Sequence, residues 1–234
     1  MASKTEYPVI RIAGDTGLIV EFGRDIDPDT NARVRTLARA VNRQKPEGIV
    51  EIIPTYRSLL VIYDPAYTRP DALIPFLRRM ESDAGAGKSS SRKVVDIPVC
   101  YGGEYGPDME TVKAASGLST DEVIRCHSRP EYLIYMVGFT PGFPFLGGLD
   151  EKLFTPRLKT PRTLVPEGSV GIANNQTGIY PVASPGGWQI IGKTPLKLFS
   201  PDRENPFLYR AGDKIKFIPI SNDEFETLKQ KETE

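Results

Sequence analysis

Between residues 138 and 192 the chain places ten glycines and seven prolines, and residues 168–192 carry no charged side chain. A segment this uncharged would ordinarily be core. Repeated Gly and Pro exclude a buried helix, because Pro removes a helix hydrogen bond and clashes with the preceding turn. In sheets, Pro is confined to edges, strand starts and bulges. Such a stretch can build short strands joined by rigid turns, in which backbone comes close to something else. Two outcomes stay open: the turn-rich rim of a β-barrel, or an aromatic-lined pocket with exposed amides.

The flanking sequence places this stretch in a two-domain chain of 234 residues. Residues 9–13 and 18–22 read as strands around a Gly14-Asp15-Thr16-Gly17 turn. Asp27-Pro28 gives an N-cap followed by Pro at the first helical position. Val34, Leu37, Ala38 and Val41 continue at helical spacing. Strands at 49–53 and 59–63 and a helix at 69–82 complete a ββαββα order, predicting an α+β domain over residues 1–82. Residues 83–92 read as a polar linker. Within it Gly87-Lys88-Ser89 imitates a phosphate-binding loop, but Ser82 stands where that motif needs Gly and no strand precedes it. Over residues 93–220 a strand at 94–100 is followed by helices at 108–116 and 119–127, the latter opened by the capping box Ser119…Glu122. A strand at 133–137 leads into the Gly/Pro segment, with further strands expected near 165, 170–173, 188–191, 196–199 and 214–218. Residues 221–234 read as a frayed, charged tail.

Thirty basic and thirty acidic residues balance, so there is no basic face for nucleic acid and no polybasic membrane anchor. No apolar run approaches the roughly 20 residues of a bilayer span, and the N-terminal sequence has no apolar signal region. Cys100 and Cys126 form no metal or disulfide pattern. A cytoplasmic protein with free thiols is expected.

Within 139–148 lie Phe139, Phe143 and Phe145, which can stack on a planar ligand or plug a barrel. Arg157 and Arg162, held among Pro156 and Pro161, suit a carboxylate or phosphate clamp, or are solvated surface arginines. Gln176, Tyr180 and Trp188 add polar-tipped groups near the same turns. His127, the only histidine, is the natural general acid/base. At a helix C-terminus it is equally favourable for structural reasons. One His and two separated Cys do not make a zinc site, and no Gly-x-Ser-x-Gly elbow occurs.

Three blocks resemble a known family. His127-Ser128 with residues 132–147 (YLIYMVGFTPGFPFLG), residues 161–170 (PRTLVPEGSV), and Ile179-Tyr180-Pro181 through 184–195 (SPGGWQIIGKTP) are similar to the signatures of the allophanate hydrolase subunit 1 family, which includes 5-oxoprolinase B subunits and KipI-type sporulation kinase inhibitors. The resemblance spans residues 6–220. It implies an α+β domain followed by a cyclophilin-like β-barrel. It further implies the B component of an ATP-dependent enzyme that opens 5-oxo-L-proline to L-glutamate together with A and C subunits. ATP is then expected at the level of the complex, with no metal or organic cofactor in this chain. The site residues it suggests are His127 for proton transfer and Arg162, with Arg157, for the substrate carboxylate or a phosphate. Phe143, Gln176, Tyr180 and Trp188 would line the pocket. The alternatives it leaves are an inhibitor of a sensor histidine kinase, another amidohydrolase- or carboxylase-related subunit, or a prolyl isomerase.

Overall fold

The computed structural model describes residues 7–84 and 93–233. The chain divides into two compact units, Met1–Ser91 and Arg92–Glu234.

The first unit contains β1 (Val9–Ala13), β2 (Gly17–Glu21), α1 (Pro28–Gln44), β3 (Ile49–Pro54), β4 (Ser58–Tyr63) and α2 (Pro70–Ala84). The strands form an antiparallel sheet in the order β1-β2-β4-β3. Asp27 starts α1 because its carboxylate accepts from the N–H groups of Asp29 (2.9 Å) and Thr30 (3.0 Å), two donors the helix itself cannot satisfy. Alternate residues Leu18, Val20, Leu59, Val61 and Tyr63 turn to one face, where Val34, Leu37, Val41, Leu73, Leu77 and Met80 of the helices cover them. Each such side chain contributes about 1.5–3 kcal/mol by leaving water. The second helix runs through Asp83, which the sequence places in the linker; residues 85–92, with Gly87-Lys88-Ser89, lie outside the described residues.

The second unit contains β5 (Val94–Tyr101), α3 (Met109–Ser116), α4 (Thr120–Ser128), β6 (Glu131–Val137), β7 (Pro144–Gly147), a single 3-10 turn (Glu151–Leu153), β8 (Arg162–Val165), β9 (Ser169–Ala173), β10 (Gln176–Ile179), β11 (Ser184–Gly186), β12 (Gln189–Lys193), β13 (Lys214–Pro219) and α5 (Asn222–Thr233). Seven strands form one sheet in the order β10-β9-β12-β5-β13-β6-β7. Only β5 and β13 run parallel. The outer strands β10 and β7 lie side by side, so the sheet curls into a nearly closed barrel. Its interior holds Ile97, Tyr132, Ile134, Leu146, Ile172, Ile191, Ile215 and Phe217. Strands β8 and β11 pair as a separate ribbon. An α+β unit followed by a helix-flanked barrel is thus the architecture of the chain, as the resemblance implies. Among the described residues no helix is long and apolar enough to cross a membrane.

Three local expectations are corrected. Residues 196–199 form no strand; only an isolated bridge joins Phe199 to Phe207, and backbone donors of the segment are spent on side chains, Leu196 N–H on Thr194 Oγ1 at 3.3 Å and Lys197 N–H on Glu232 at 3.4 Å. Conversely, residues 144–147 are a strand inside what reads as a loop. Pro144 is the first residue of that strand, a position where Pro is tolerated. The expected tail is the helix α5. Ser221 and Glu224 form a reciprocal cap, with Ser221 N–H and O–H donating to the Glu224 carboxylate at 2.8 and 2.9 Å. Phe225 is buried and packs on Tyr105 with ring centroids 4.3 Å apart. Polar ties back this apolar anchor: the Tyr105 O–H donates to Glu226 at 3.0 Å and Arg203 Nη2 to Glu232 at 3.1 Å.

Candidate functional site

The Gly/Pro segment builds a small satellite core. Phe143, Val165, Ala173, Tyr180, Trp188 and Ile190 pack together, contributed by β8, β9, β12 and the turns beside them. Phe143 meets Tyr180 and Trp188 edge to face, with centroids 5.7 and 5.6 Å apart, the arrangement that aligns ring edges with ring faces. Gly178 and Gly186 are explained by these rings. A Cβ on Gly178 would lie 3.0 Å from Phe143 Cζ and 3.1 Å from Trp188 Cζ3, and one on Gly186 would lie 2.2 Å from the Tyr180 hydroxyl. What the backbone approaches so closely is the protein's own aromatics. Phe143, Tyr180 and Trp188 are nearly fully buried, and burial raises the pKa of the Tyr180 phenol. Gln176 is half-buried at the β9–β10 hairpin opposite Ala173, outside this cluster.

The two arginines differ. Arg157 is exposed and its guanidinium lies 5.9 Å from the Trp188 ring centroid, a cation–π contact that leaves its donors in water. Arg162 is already engaged. Its Nη2 donates to Asp108 Oδ1 at 2.6 Å and its Nη1 to the Trp188 carbonyl at 3.2 Å. The other Asp108 oxygen accepts from the Ile190 N–H at 2.6 Å, and the Asp108 N–H donates to the Ile190 carbonyl at 2.9 Å. The carboxylate that Arg162 clamps is thus one of this chain's own, and the pair ties the start of α3 to β8 and β12. The sequence does not reveal Asp108 in this role, because 54 residues separate it from Arg162.

His127 has no solvent exposure. It projects from α4 into the barrel and stacks on Phe217 with centroids 4.5 Å apart. Nε2 lies 2.7 Å from Thr177 Oγ1 and Nδ1 lies 2.7 Å from the Tyr101 hydroxyl. The Thr177 hydroxyl proton is committed to the Gly171 carbonyl at 3.0 Å, so Nε2–H must be the donor to Thr177 and Nδ1 accepts from Tyr101. This is a neutral imidazole, and burial lowers its pKa to about 3. Both nitrogens are occupied and neither reaches the surface. The geometry suits a tie between α4, β5 and β10, not proton exchange with a bound substrate.

The exposed part of the segment is elsewhere. Phe139 is 74% exposed and has φ of 67°, a left-handed conformation that costs a bulky residue about 1–2 kcal/mol. Together with Val137, Gly138, Thr140, Pro141 and Gly142 it walls an open cavity of about 410 Å³. The opposite wall is Phe207, Tyr209, Arg210 and Ala211, held by the Tyr209 O–H donating to the Gly142 carbonyl at 2.8 Å. Burial raises the Tyr209 phenol far above its ordinary range, so it stays a donor. Phe207, Tyr209 and Arg210 have no sequence signal that ties them to Phe139; only the fold brings them together. Among the described residues no group of three or more His, Cys, Asp or Glu could hold a metal ion.

The α+β unit followed by a barrel places the chain in the class of proteins built like the C and D subdomains of carboxyltransferases. The chain belongs to the carboxyltransferase domain family, subdomains C and D, which it matches over residues 8–209. It is 43% identical to the 5-oxoprolinase B subunit of Bacillus subtilis over 227 residues, covering 93% of this chain and 95% of that one. A conserved uncharacterized protein of Pyrococcus horikoshii superposes with a TM-score of 0.56 at 47% identity, covering 93% of this chain and all of that one. The urea carboxylase of Kluyveromyces lactis superposes with a TM-score of 0.79 at 22% identity, and this chain covers 24% of it. That last likeness shows the fold alone. The resemblance carried by the three signature blocks is to this same family.

Proposed function

We propose that this chain is the B subunit of an ATP-dependent 5-oxoprolinase, acting with A and C subunits to open 5-oxo-L-proline to L-glutamate. The observation that carries the proposal is the 43% identity to a 5-oxoprolinase B subunit across essentially the full length of both chains. The chemistry calls for help from ATP, because a lactam carbonyl is a poor electrophile and phosphorylating its oxygen creates a leaving group. ATP is bound at the level of the assembled complex, in the cytoplasm. The chemistry of this chain supports a non-autonomous role. Its single imidazole is buried and neutral, and Arg162 is neutralised by Asp108. Phe143, Tyr180 and Trp188 then act by shaping the surface that a partner completes, with Arg157 as an exposed cation beside it.

The test is reconstitution. Purified chain is mixed with candidate A and C subunits, ATP and 5-oxo-L-proline, and glutamate release is measured. Release that requires all three proteins is expected. Release that is unchanged when this chain is left out refutes the proposal, as does absence of release alongside inhibition of a sensor kinase's autophosphorylation.

A further inference from the structure

The cavity between the Phe139 loop and Phe207, Tyr209, Arg210 and Ala211 has three features that point to a ligand. Phe139 holds a left-handed backbone conformation while it stays 74% exposed, its ring meeting Phe143 edge to face with centroids 5.9 Å apart. A strained residue that gains little from burial is poised for something outside the chain. Thr140 Oγ1 is buried yet has no hydrogen-bond partner, an arrangement that folded proteins avoid unless a ligand or water supplies the missing partner. Arg210 has a side chain 88% exposed. Asp213 accepts from the Arg210 backbone N–H at 3.2 Å and stands 3.9 Å from its Nε. Across the cavity, Phe207 is fixed in place by stacking on Phe199, centroids 5.2 Å apart.

We propose that this cavity is a binding site for a small, flat ring acid: Arg210 takes the carboxylate, Thr140 Oγ1 bonds the polar edge of the ring, and Phe139 and Phe207 cover its faces. The volume, about 410 Å³, falls within the range of small-ligand sites. The lining is mainly apolar with one cation and one orphan hydroxyl, which suits a monocarboxylate better than a phosphate ester or a purely apolar ligand. Where the proposed function holds, on which this step of the inference rests, the ring acid is the five-membered lactam substrate itself. The site would then present that substrate at the chain's surface to the ATP-handling partners.

The experiment measures binding of 5-oxo-L-proline to the full chain alone by calorimetry or ligand-observed NMR, with 2-pyrrolidinone, which lacks the carboxylate, as the comparison. The Arg210→Gln variant is expected to weaken 5-oxo-L-proline about 10- to 100-fold and to leave 2-pyrrolidinone unchanged. Thr140→Val should weaken both ligands several-fold. Phe139→Gly separates function from folding: it removes the ring and the strained Cβ, so affinity should fall with no loss of Tm. No binding by the wild-type chain, or equal affinity of the wild type and Arg210→Gln, overturns the proposal. The reconstituted enzyme keeps the two claims apart. Glutamate release with an unchanged KM for Arg210→Gln sinks the binding site and leaves the assignment to the oxoprolinase complex standing. Binding without any release in the presence of active A and C subunits does the reverse.

Discussion

Replacing His127 by Gln should flatten the acid side of the barrel's stability profile. An imidazole in an unfolded chain has a pKa of about 6.5, whereas burial lowers His127 to about 3 in the fold. The unfolded state therefore binds a proton at pH values where the native state does not. Since stability rises with pH wherever the unfolded state binds more protons, the stability tied to neutral His127 is complete above about pH 6.5. It is lost progressively as pH falls towards the native value. Each pH unit inside that window costs up to about 1.4 kcal/mol, giving about 2 kcal/mol by about pH 5. Gln does not titrate, and its amide can still donate to Thr177 and accept from Tyr101. Other acid-side titrations are common to both proteins and cancel in the difference. Trp188 is the chain's only tryptophan and is buried in the second unit, so urea unfolding followed by its fluorescence reads the barrel selectively. The difference in unfolding free energy between wild type and His127→Gln, measured from about pH 5 to about pH 7.5, should change by about 2 kcal/mol. Parallel curves would show that His127 titrates normally and is reachable by solvent, restoring it as a candidate for proton transfer.

Asp108→Asn and Arg162→Ala should each destabilise the barrel by about 1.5–3 kcal/mol, because each leaves the other half of a charge-assisted network unpaired. A double-mutant cycle should then return a coupling above about 0.5 kcal/mol, and simple additivity would contradict the pairing. Phe225→Ala should cost about 3 kcal/mol and release α5, seen as loss of amide-exchange protection across residues 222–233; protection that survives would mean the helix docks by its charges. Gly178→Ala forces a methyl against Phe143 and Trp188 and should cost about 1–3 kcal/mol with a red shift of Trp188 emission. An unshifted spectrum would show that the satellite core can yield.

Much of the fold follows from local rules. The N-cap at Asp27, the capping box at Ser119 and the alternation in β2 and β4 define their elements through contacts only a few residues long, so the first unit and helices α3 and α4 are legible directly. The same kind of signal at Ser221…Glu224 is present but masked by a charged composition, since a single Phe225 supplies no periodic face. The barrel strands within the Gly/Pro segment are less visible: β7, β10 and β11 are three or four residues long and carry the Gly and Pro that normally mark turns.

For the site, the linear pattern is enough to single out the stretch that matters, because ten glycines and seven prolines among aromatics cannot form an ordinary helix or central strand. What each residue does there depends on how the barrel closes. Phe143, Tyr180 and Trp188 turn inward and fill the space the glycines leave. His127 enters the barrel, where desolvation holds it neutral. Arg162 finds Asp108, 54 residues away. Phe139 stays outside and meets Phe207, Thr140 and Arg210 across one cavity. Burial and pairing across the chain are set by which strands close the barrel, and a linear pattern contains no distance between residues that only the closed sheet makes neighbours.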